Sequence, residues 1–216
     1  MGKLRVLLAD DHAIIRDGLK QILADTDDLI VAGEAANGVE TMQRVREEPW
    51  DVLVLDISMP GRGGLELLRM IKDECPELPI LILSMHHEEQ YAVRALKAGA
   101  QGYLTKESDA DLLLAAIRKV ANGGVFVSDK VAELMVRGSR IDKESRSHQL
   151  LSDREFQVFC MLVQGKGLTE IAVALSLSVK TISTHKTHIL QKMGLANNAE
   201  LVRYAIAHGL ADPGDY

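Results

Sequence analysis

The 216-residue chain predicts a doubly wound α/β domain, a five-stranded parallel sheet with helices on both faces, followed by a small all-α domain. Three observations predict it. Five short apolar runs alternate with five helical patterns over the first 121 residues, the signature of successive βαβ units. The runs are continuously apolar rather than alternating, as strands buried on both faces are. Beyond residue 149 no strand pattern remains, and three helix starts carry capping residues.

The strands are expected at Leu4–Ala9, Leu29–Ala35, Val52–Leu55, Ile80–Leu83 and Gly102–Thr105. Helical spacing occupies Ala13–Ala24, Val39–Glu47, Gly64–Lys72, Glu88–Ala98 and Asp109–Ala121. Asn122–Gly124 closes this block, a further short helix fits 128–138, and the polar stretch 138–149 reads as a linker. The domains are thus expected at 1–124 and 150–216, with 125–149 between them. In the second, Ser152 and Glu155 form a capping box. Ser178 opens a long helix to Met193, and Asn197–Glu200 caps a last helix ending near His208. Leu168–Leu175 is helical, and Ser176–Ser178 is a tight turn. Helix, short turn and a longer helix with a basic face make a helix-turn-helix pattern.

Hydrophobic residues at 47% and charged residues at 26% describe a globular chain. No apolar run reaches the roughly 18–20 residues of a membrane span, and the N-terminus turns acidic too early for a signal peptide. Two cysteines, Cys75 and Cys160, give neither a disulfide framework nor a cysteine-rich zinc site and fit a reducing cytoplasm. Aromatics at 4% argue against a stacking platform for single-stranded nucleic acid. The net charge of −6 is uneven: −7 over residues 1–125, +1 over 126–149 and 0 over 150–216. Within the last part, residues 178–194 carry Lys180, Lys186 and Lys192 and no acid, a local basic stripe.

Asp10, Asp11, Asp56, Ser84 and Lys106 carry the most information. Each sits at the C-terminal end of an expected strand, the edge where doubly wound sheets bind ligands. Each alone has a plain structural reading, as a helix cap, a turn residue or a solvated lysine; together they place five suitable groups in one crevice. Three converging carboxylates repel unless a cation lies between them, and a hard divalent ion such as Mg²⁺ meets that need. A remaining carboxylate can then act as a nucleophile toward phosphorus, with a lysine pairing a phosphoryl oxygen.

Residues 3–122 resemble the receiver domain of bacterial two-component response regulators. The motifs are Asp10-Asp11, Asp56-Ile-Ser-Met-Pro60, Gly64, Ser84 and Tyr103-Leu-Thr-Lys106. The resemblance implies a flavodoxin-like receiver fold with Asp56 as phosphoacceptor. Asp11, Asp56 and the Ser58 carbonyl would hold Mg²⁺, with Asp10 acting largely through water. Lys106 and Ser84 would contact the phosphoryl group, and Tyr103 would be the aromatic that changes rotamer on activation. Receivers commonly carry a proline, with a cis peptide, after the lysine. Here Glu107 follows, and a cis bond without proline costs about 3–4 kcal/mol, which leaves the isomer open. His86 and His87 read as loop residues rather than metal ligands.

Residues 150–210 resemble the LuxR-type helix-turn-helix through Leu151–Glu155, Gly165, Glu170–Ala172, Val179–Ile182, His185, Leu190, Lys192–Gly194 and Asn197–Leu201. With the receiver, this identifies the chain as resembling the NarL/FixJ class. Val179, Ile182, Ile189 and Met193 form the expected inward stripe of the long helix. Lys180, Ser183, Thr184, Lys186, Thr187 and Lys192 occupy the other face, and these are side-chain types that meet phosphates and base edges. By the resemblance, Ser183, Thr184 and Thr187 approach bases, the three lysines hold phosphates, and His185 supports packing or a phosphate. Modest discrimination per monomer points to dimers on paired half-sites. Gly167 stands where the family often has Ser or Thr, which removes one cap. The last helix, with Leu201, Val202, Ala205 and Ile206, serves either dimerisation or the domain core.

The resulting expectation is a cytoplasmic transcription regulator rather than an enzyme. A sensor histidine kinase phosphorylates it at Asp56 with Mg²⁺, and it binds double-stranded DNA, as a homodimer once activated. Three other readings fit less of the sequence. A phosphatase of the haloacid-dehalogenase type needs a second Asp two residues after the nucleophile, where this chain has Ser58. A ligand-sensing regulator needs a large apolar pocket. A regulator that no longer uses phosphorylation does not need the intact Asp, Lys and Ser set.

Overall fold

A computed structural model describes residues 2–59, 63–85, 88–138, 147–208 and 210. Pro60, His86, His87, most of the expected linker (139–146) and Gly209 lie outside the described residues. The chain divides into two compact units, 1–136 and 137–216.

In the first unit, β1 (Leu4–Ala9), β2 (Leu29–Ala35), β3 (Val52–Leu55), β4 (Ile80–Ser84) and β5 (Gly102–Thr105) form one parallel sheet ordered β2-β1-β3-β4-β5. Helices α1 (Ala13–Ala24), α2 (Gly38–Glu47), α3 (Gly64–Glu74), α4 (Glu88–Lys97) and α5 (Ala110–Ala121) connect and follow the strands. All residues of β3 and β4 are buried, as expected for strands covered on both faces. Val6, Leu8, Val52, Val54, Leu81 and Leu83 pack with Leu19 and Leu23 of α1 and Leu113, Ile117 and Val120 of α5. Their neighbours Leu7, Leu53, Leu55, Ile80 and Ile82, fully buried as well, face the other way by the two-residue period of a strand. The order reverses between β1 and β3, so the residues after these two strands flank the switch point.

After α5 the chain returns to the sheet edge. Phe126 bridges Gly102 in parallel sense, with Tyr103 N donating to Phe126 O and Phe126 N to Gln101 O. Then follows α6 (Asp129–Gly138). The described residues contain no cis peptide, so the Lys106–Glu107 bond is trans.

The second unit opens with a 3-10 turn, Ser147–Leu150, followed by α7 (Asp153–Val163), α8 (Leu168–Ala174), α9 (Val179–Met193) and α10 (Asn198–Ala207). The Ser152–Glu155 capping box is present on both sides. Asn197 and Ser178 accept from Glu200 N and Thr181 N. At α8, Gly167 offers no side chain, but Glu170 Oε2 accepts its amide at 2.6 Å, so half of a capping box survives. Arg154 ties α7 to the C-terminal end of α8 by donating to Leu175 O at 2.9 Å. His148 Nδ1 lies 2.8 Å from Tyr204 Oη, which fastens the 3-10 turn to α10.

One expected core position is corrected. Val179 is 44% exposed, whereas Ile182, Ile189 and Met193 are buried. Val179 is the first residue of α9, ahead of the stretch that packs on α7 and α8. The inward stripe therefore starts one turn later. In α10, Leu201 and Ala205 enter the core, while Ile206 is exposed.

Candidate functional site: an acidic crevice and a basic helix face

Asp10 and Asp11 follow β1, Asp56 follows β3, Ser84 ends β4 and Lys106 follows β5. The parallel register brings these strand ends to one edge, and the structure gathers the carboxylates there. Asp10, Asp11, His12 and Asp56 each offer a ligand atom within 4.8 Å of the others. Lys106 Nζ lies 2.6 Å from both Asp10 Oδ2 and Asp56 Oδ2, with all three side chains almost completely buried. Ser58 N donates to Asp56 Oδ1 at 2.7 Å, and His12 N to Asp10 Oδ1 at 2.8 Å. Ser84 and Tyr103 are fully buried in β4 and β5.

The charges do not balance. Three carboxylates converge, and Lys106 pairs with two of them, Asp10 and Asp56. Burial pushes the Asp56 carboxyl above the usual carboxylate range, against the pull of Lys106 and Ser58 N and with the Asp10 charge adding to the rise. Burial alone depresses the Lys106 ammonium, but Asp56 and Asp10 together hold it above the ordinary lysine value. Asp11 Oδ1 is buried and accepts no hydrogen bond; His12 Nδ1 lies 3.1 Å away, outside hydrogen-bonding geometry. Ser58 Oγ is likewise buried without a partner among the described residues. A carboxylate surplus with an unpartnered buried oxygen fits a hard divalent cation, which binds through oxygen.

Gly64, the first residue of α3, fixes the loop after Asp56. A Cβ there would stand 2.3 Å from Ile57 Cα and Ile57 O. Only a glycine lets α3 pass this close to the residue after Asp56.

His12 was missed in the sequence. Its side chain is half-exposed, with Nδ1 3.2 Å from Asp10 Oδ1, and it reads there as an unremarkable first residue before a helix. Its position beside two aspartates is the only signal.

In the second unit Lys180, Ser183, Thr184 and Thr187 are exposed on α9 and Lys186 is partly so. Thr184 Oγ1 donates to Lys180 O at 3.1 Å and Thr187 Oγ1 to Ser183 O at 3.0 Å. Their outward faces therefore present acceptor lone pairs and methyl groups. Lys192 stands apart. Its Nζ pairs with Glu155 Oε2 at 2.6 Å, tying the end of α9 to the capping box of α7. His185 is partly buried, and burial, with Arg154 nearby, lowers its pKa, which fits packing.

A metal-competent acidic crevice at the switch point of a five-stranded parallel sheet, joined to a helix-turn-helix unit, defines a two-domain response regulator. Comparison with known proteins agrees. Residues 6–118 match the response regulator receiver domain, and residues 149–205 match the bacterial regulatory proteins of the luxR family. The chain is 40% identical to the oxygen regulatory protein NreC of Staphylococcus epidermidis, over 97% of this chain and 100% of that protein. A LuxR-family response regulator from Aurantimonas sp. SI85-9A1 is 34% identical with TM-score 0.59, over 64% of this chain and 99% of its own. RcsB from Salmonella enterica serovar Typhimurium, solved on promoter P1flhDC with the phosphomimetic BeF3⁻, is 27% identical with TM-score 0.65, over 95% and 100%. The chain belongs to the NarL/FixJ class of response regulators, a receiver followed by a LuxR-type DNA-binding domain, and is a transcriptional regulator of a two-component system. No helix among the described residues is long and apolar enough to cross a membrane.

Proposed function

We propose that Asp56 is the phosphoacceptor and that a sensor histidine kinase is the donor. The observation that carries this is the Asp56 carboxylate itself: buried, 2.6 Å from Lys106 Nζ, and crowded by two further aspartates. An Asp56 oxygen attacks phosphorus, the P–N bond of the kinase phosphohistidine breaks, and the imidazole leaves with the electron pair. Lys106 neutralises one incoming phosphoryl oxygen, and Ser84, at the end of the next strand, donates to another. Asp11, Asp56 and the Ser58 carbonyl would hold Mg²⁺, with Asp10 acting largely through water. When bound, the ion would offset negative charge on the phosphoryl oxygens. The receiver thus assists its own phosphorylation and dephosphorylation. Tyr103 acts as the switching aromatic of β5.

Residues 1–124 serve as the receiver, 125–149 as the connection and 150–216 as the DNA-binding domain of a cytoplasmic protein. We assign base contacts to Ser183, Thr184 and Thr187 and phosphate contacts to Lys180 and Lys186. Lys192 is engaged by Glu155 and reaches a phosphate only by sharing its ammonium. RcsB, the relative solved on promoter DNA with a phosphomimetic, supports binding of activated protein to duplex DNA, here as a homodimer on paired half-sites.

The test is intact mass after incubation with a small phosphodonor, with and without Mg²⁺, alongside Asp56→Asn. A Mg²⁺-dependent gain of one phosphoryl group, lost in the variant, is expected. Equal uptake by Asp56→Asn overturns the assignment. For DNA, duplexes selected from a random pool by the phosphorylated protein provide the probe. Lys180→Ala is expected to weaken all of them alike and to reduce the salt slope by about 1.

A further inference from the structure

A residue outside the acidic crevice reaches its backbone. Arg16 sits in the first turn of α1, with its amide donating to His12 O, and its side chain is only 16% exposed. The guanidinium turns back under the loop after β1. Its Nη1 donates to the backbone carbonyl of Asp10 at 2.6 Å, and its Nε donates to Glu34 Oε2 at 3.2 Å. Glu34 belongs to β2, directly across from Leu8, and its neighbour Ala35 accepts the Asp10 amide at 3.1 Å. Both backbone groups of Asp10 are therefore fixed from the β2 side, the N–H by a main-chain carbonyl and the C=O by Arg16.

The peptide whose carbonyl Arg16 holds is the one that joins Asp10 to Asp11. Its orientation decides where the Asp11 carboxylate goes, and Asp11 carries the buried oxygen that accepts no hydrogen bond. The Asp10 side chain has independent anchors in Lys106 and His12 N; Asp11 depends on its backbone. Glu34 is in turn held by Lys20, one turn after Arg16, with Nζ–Oε1 2.9 Å. Lys20 leaves Arg16 to act as the bridge between loop and strand. A rigid planar fork holds two acceptors in a fixed relative geometry, which the flexible ammonium of a lysine does not.

We infer that Arg16 is a positioning residue for the divalent cation, clamping the Asp10–Asp11 peptide against Glu34 so that the Asp11 carboxylate is presented to the metal. This rests on the reading of the crevice given above. Loss of groups that orient metal ligands typically weakens binding by about 10–100-fold. The full-length protein is titrated with Mg²⁺ alone by calorimetry, for the wild type, Arg16→Gln, Arg16→Lys and Glu34→Gln. Thermal unfolding in EDTA and phosphoryl uptake at saturating Mg²⁺ are measured on the same samples. Arg16→Gln is expected to raise the Mg²⁺ dissociation constant about tenfold, with Arg16→Lys intermediate and Glu34→Gln a few-fold. Uptake is expected to recover at saturating Mg²⁺, a split that general loss of stability does not produce. Unchanged Mg²⁺ affinity in the folded Arg16 variants overturns the inference while leaving Asp56 as acceptor. If Arg16→Gln fails to fold, the Arg16→Lys and Glu34→Gln affinities decide. A wild type that binds no Mg²⁺ overturns the reading of the crevice and this inference together.

Discussion

Each unit of this protein buries a carboxylate against a lysine at the same 2.6 Å separation, and the two pairs do opposite things. In the receiver, Asp56 and Lys106 are both sealed from water, Asp10 shares the same lysine, and Asp11 adds a third carboxylate to the cluster. In the helical unit, Glu155 is buried, but Lys192 remains 42% exposed, and the same Glu155 Oε2 also accepts from the Ser152 amide. Burial opposes ionisation at both carboxylates. At Asp56 burial wins, and the carboxyl is pushed up. At Glu155 Lys192 and the two Ser152 hydrogen bonds win, and the carboxyl is held below its ordinary value of 4.5. A carboxylate with every partner it needs fastens helices together; one left with a surplus of like charge is prepared for a cation and for chemistry.

The sharpest test of this contrast is Asp56→Asn. Phosphoryl uptake is expected to vanish, yet the melting temperature in EDTA is expected to stay level or rise, because the substitution removes like-charge crowding. A marked fall in melting temperature breaks the contrast. Glu155→Ala should do the reverse. It leaves receiver phosphorylation intact and costs the helical unit about 2 kcal/mol, combining a lost cap with a lost partly buried ion pair. Hydrogen exchange across α7 and α9 reads this directly.

Acid separates the pairs further. The Glu155 carboxyl lies lower in the folded state, so its contribution is present above about pH 4.5 and is lost as pH falls through the folded value. The Asp56 carboxyl lies higher in the folded state, so in EDTA it favours folding at low pH and that contribution is lost as pH rises above 3.8 toward the folded value. Denaturation midpoints on a pH series should therefore flatten in opposite senses in Glu155→Gln and Asp56→Asn. The smallest effect belongs to a third pair, Arg46 with Glu74, which joins α2 to α3 on the open surface. Arg46→Ala is expected to leave the unfolding transition where it is.

The architecture was legible because parallel strands buried on both faces cannot hide their apolar runs. The placement of Asp10, Asp11, Asp56, Ser84 and Lys106 was legible for the same reason, since strand ends fix their edge. What the sequence did not reveal depends on how elements meet. Arg16 and Glu34 are ordinary charged residues until β2 is laid beside β1. Lys192 falls in a basic stripe by sequence, and its partner Glu155 is 37 residues earlier, on another helix. Val179 fits the helical period of a core stripe, but the period says nothing of where the covering helices stop.

The short return of the chain at Phe126 matters for anyone who handles the first unit alone. β5 is the outermost strand of the sheet, and the Phe126 segment occupies Tyr103 N and Gln101 O. Cutting the chain before residue 125 leaves those two groups bare on an edge strand, where a second molecule can add its own strand. Gly102 keeps that rim flat enough for such pairing, since a Cβ there would stand 3.1 Å from Phe126 O. A fragment that ends with the last turn of α5 therefore carries a self-association hazard that a fragment running through residue 128 does not, so its oligomers report on the cut rather than on the regulator.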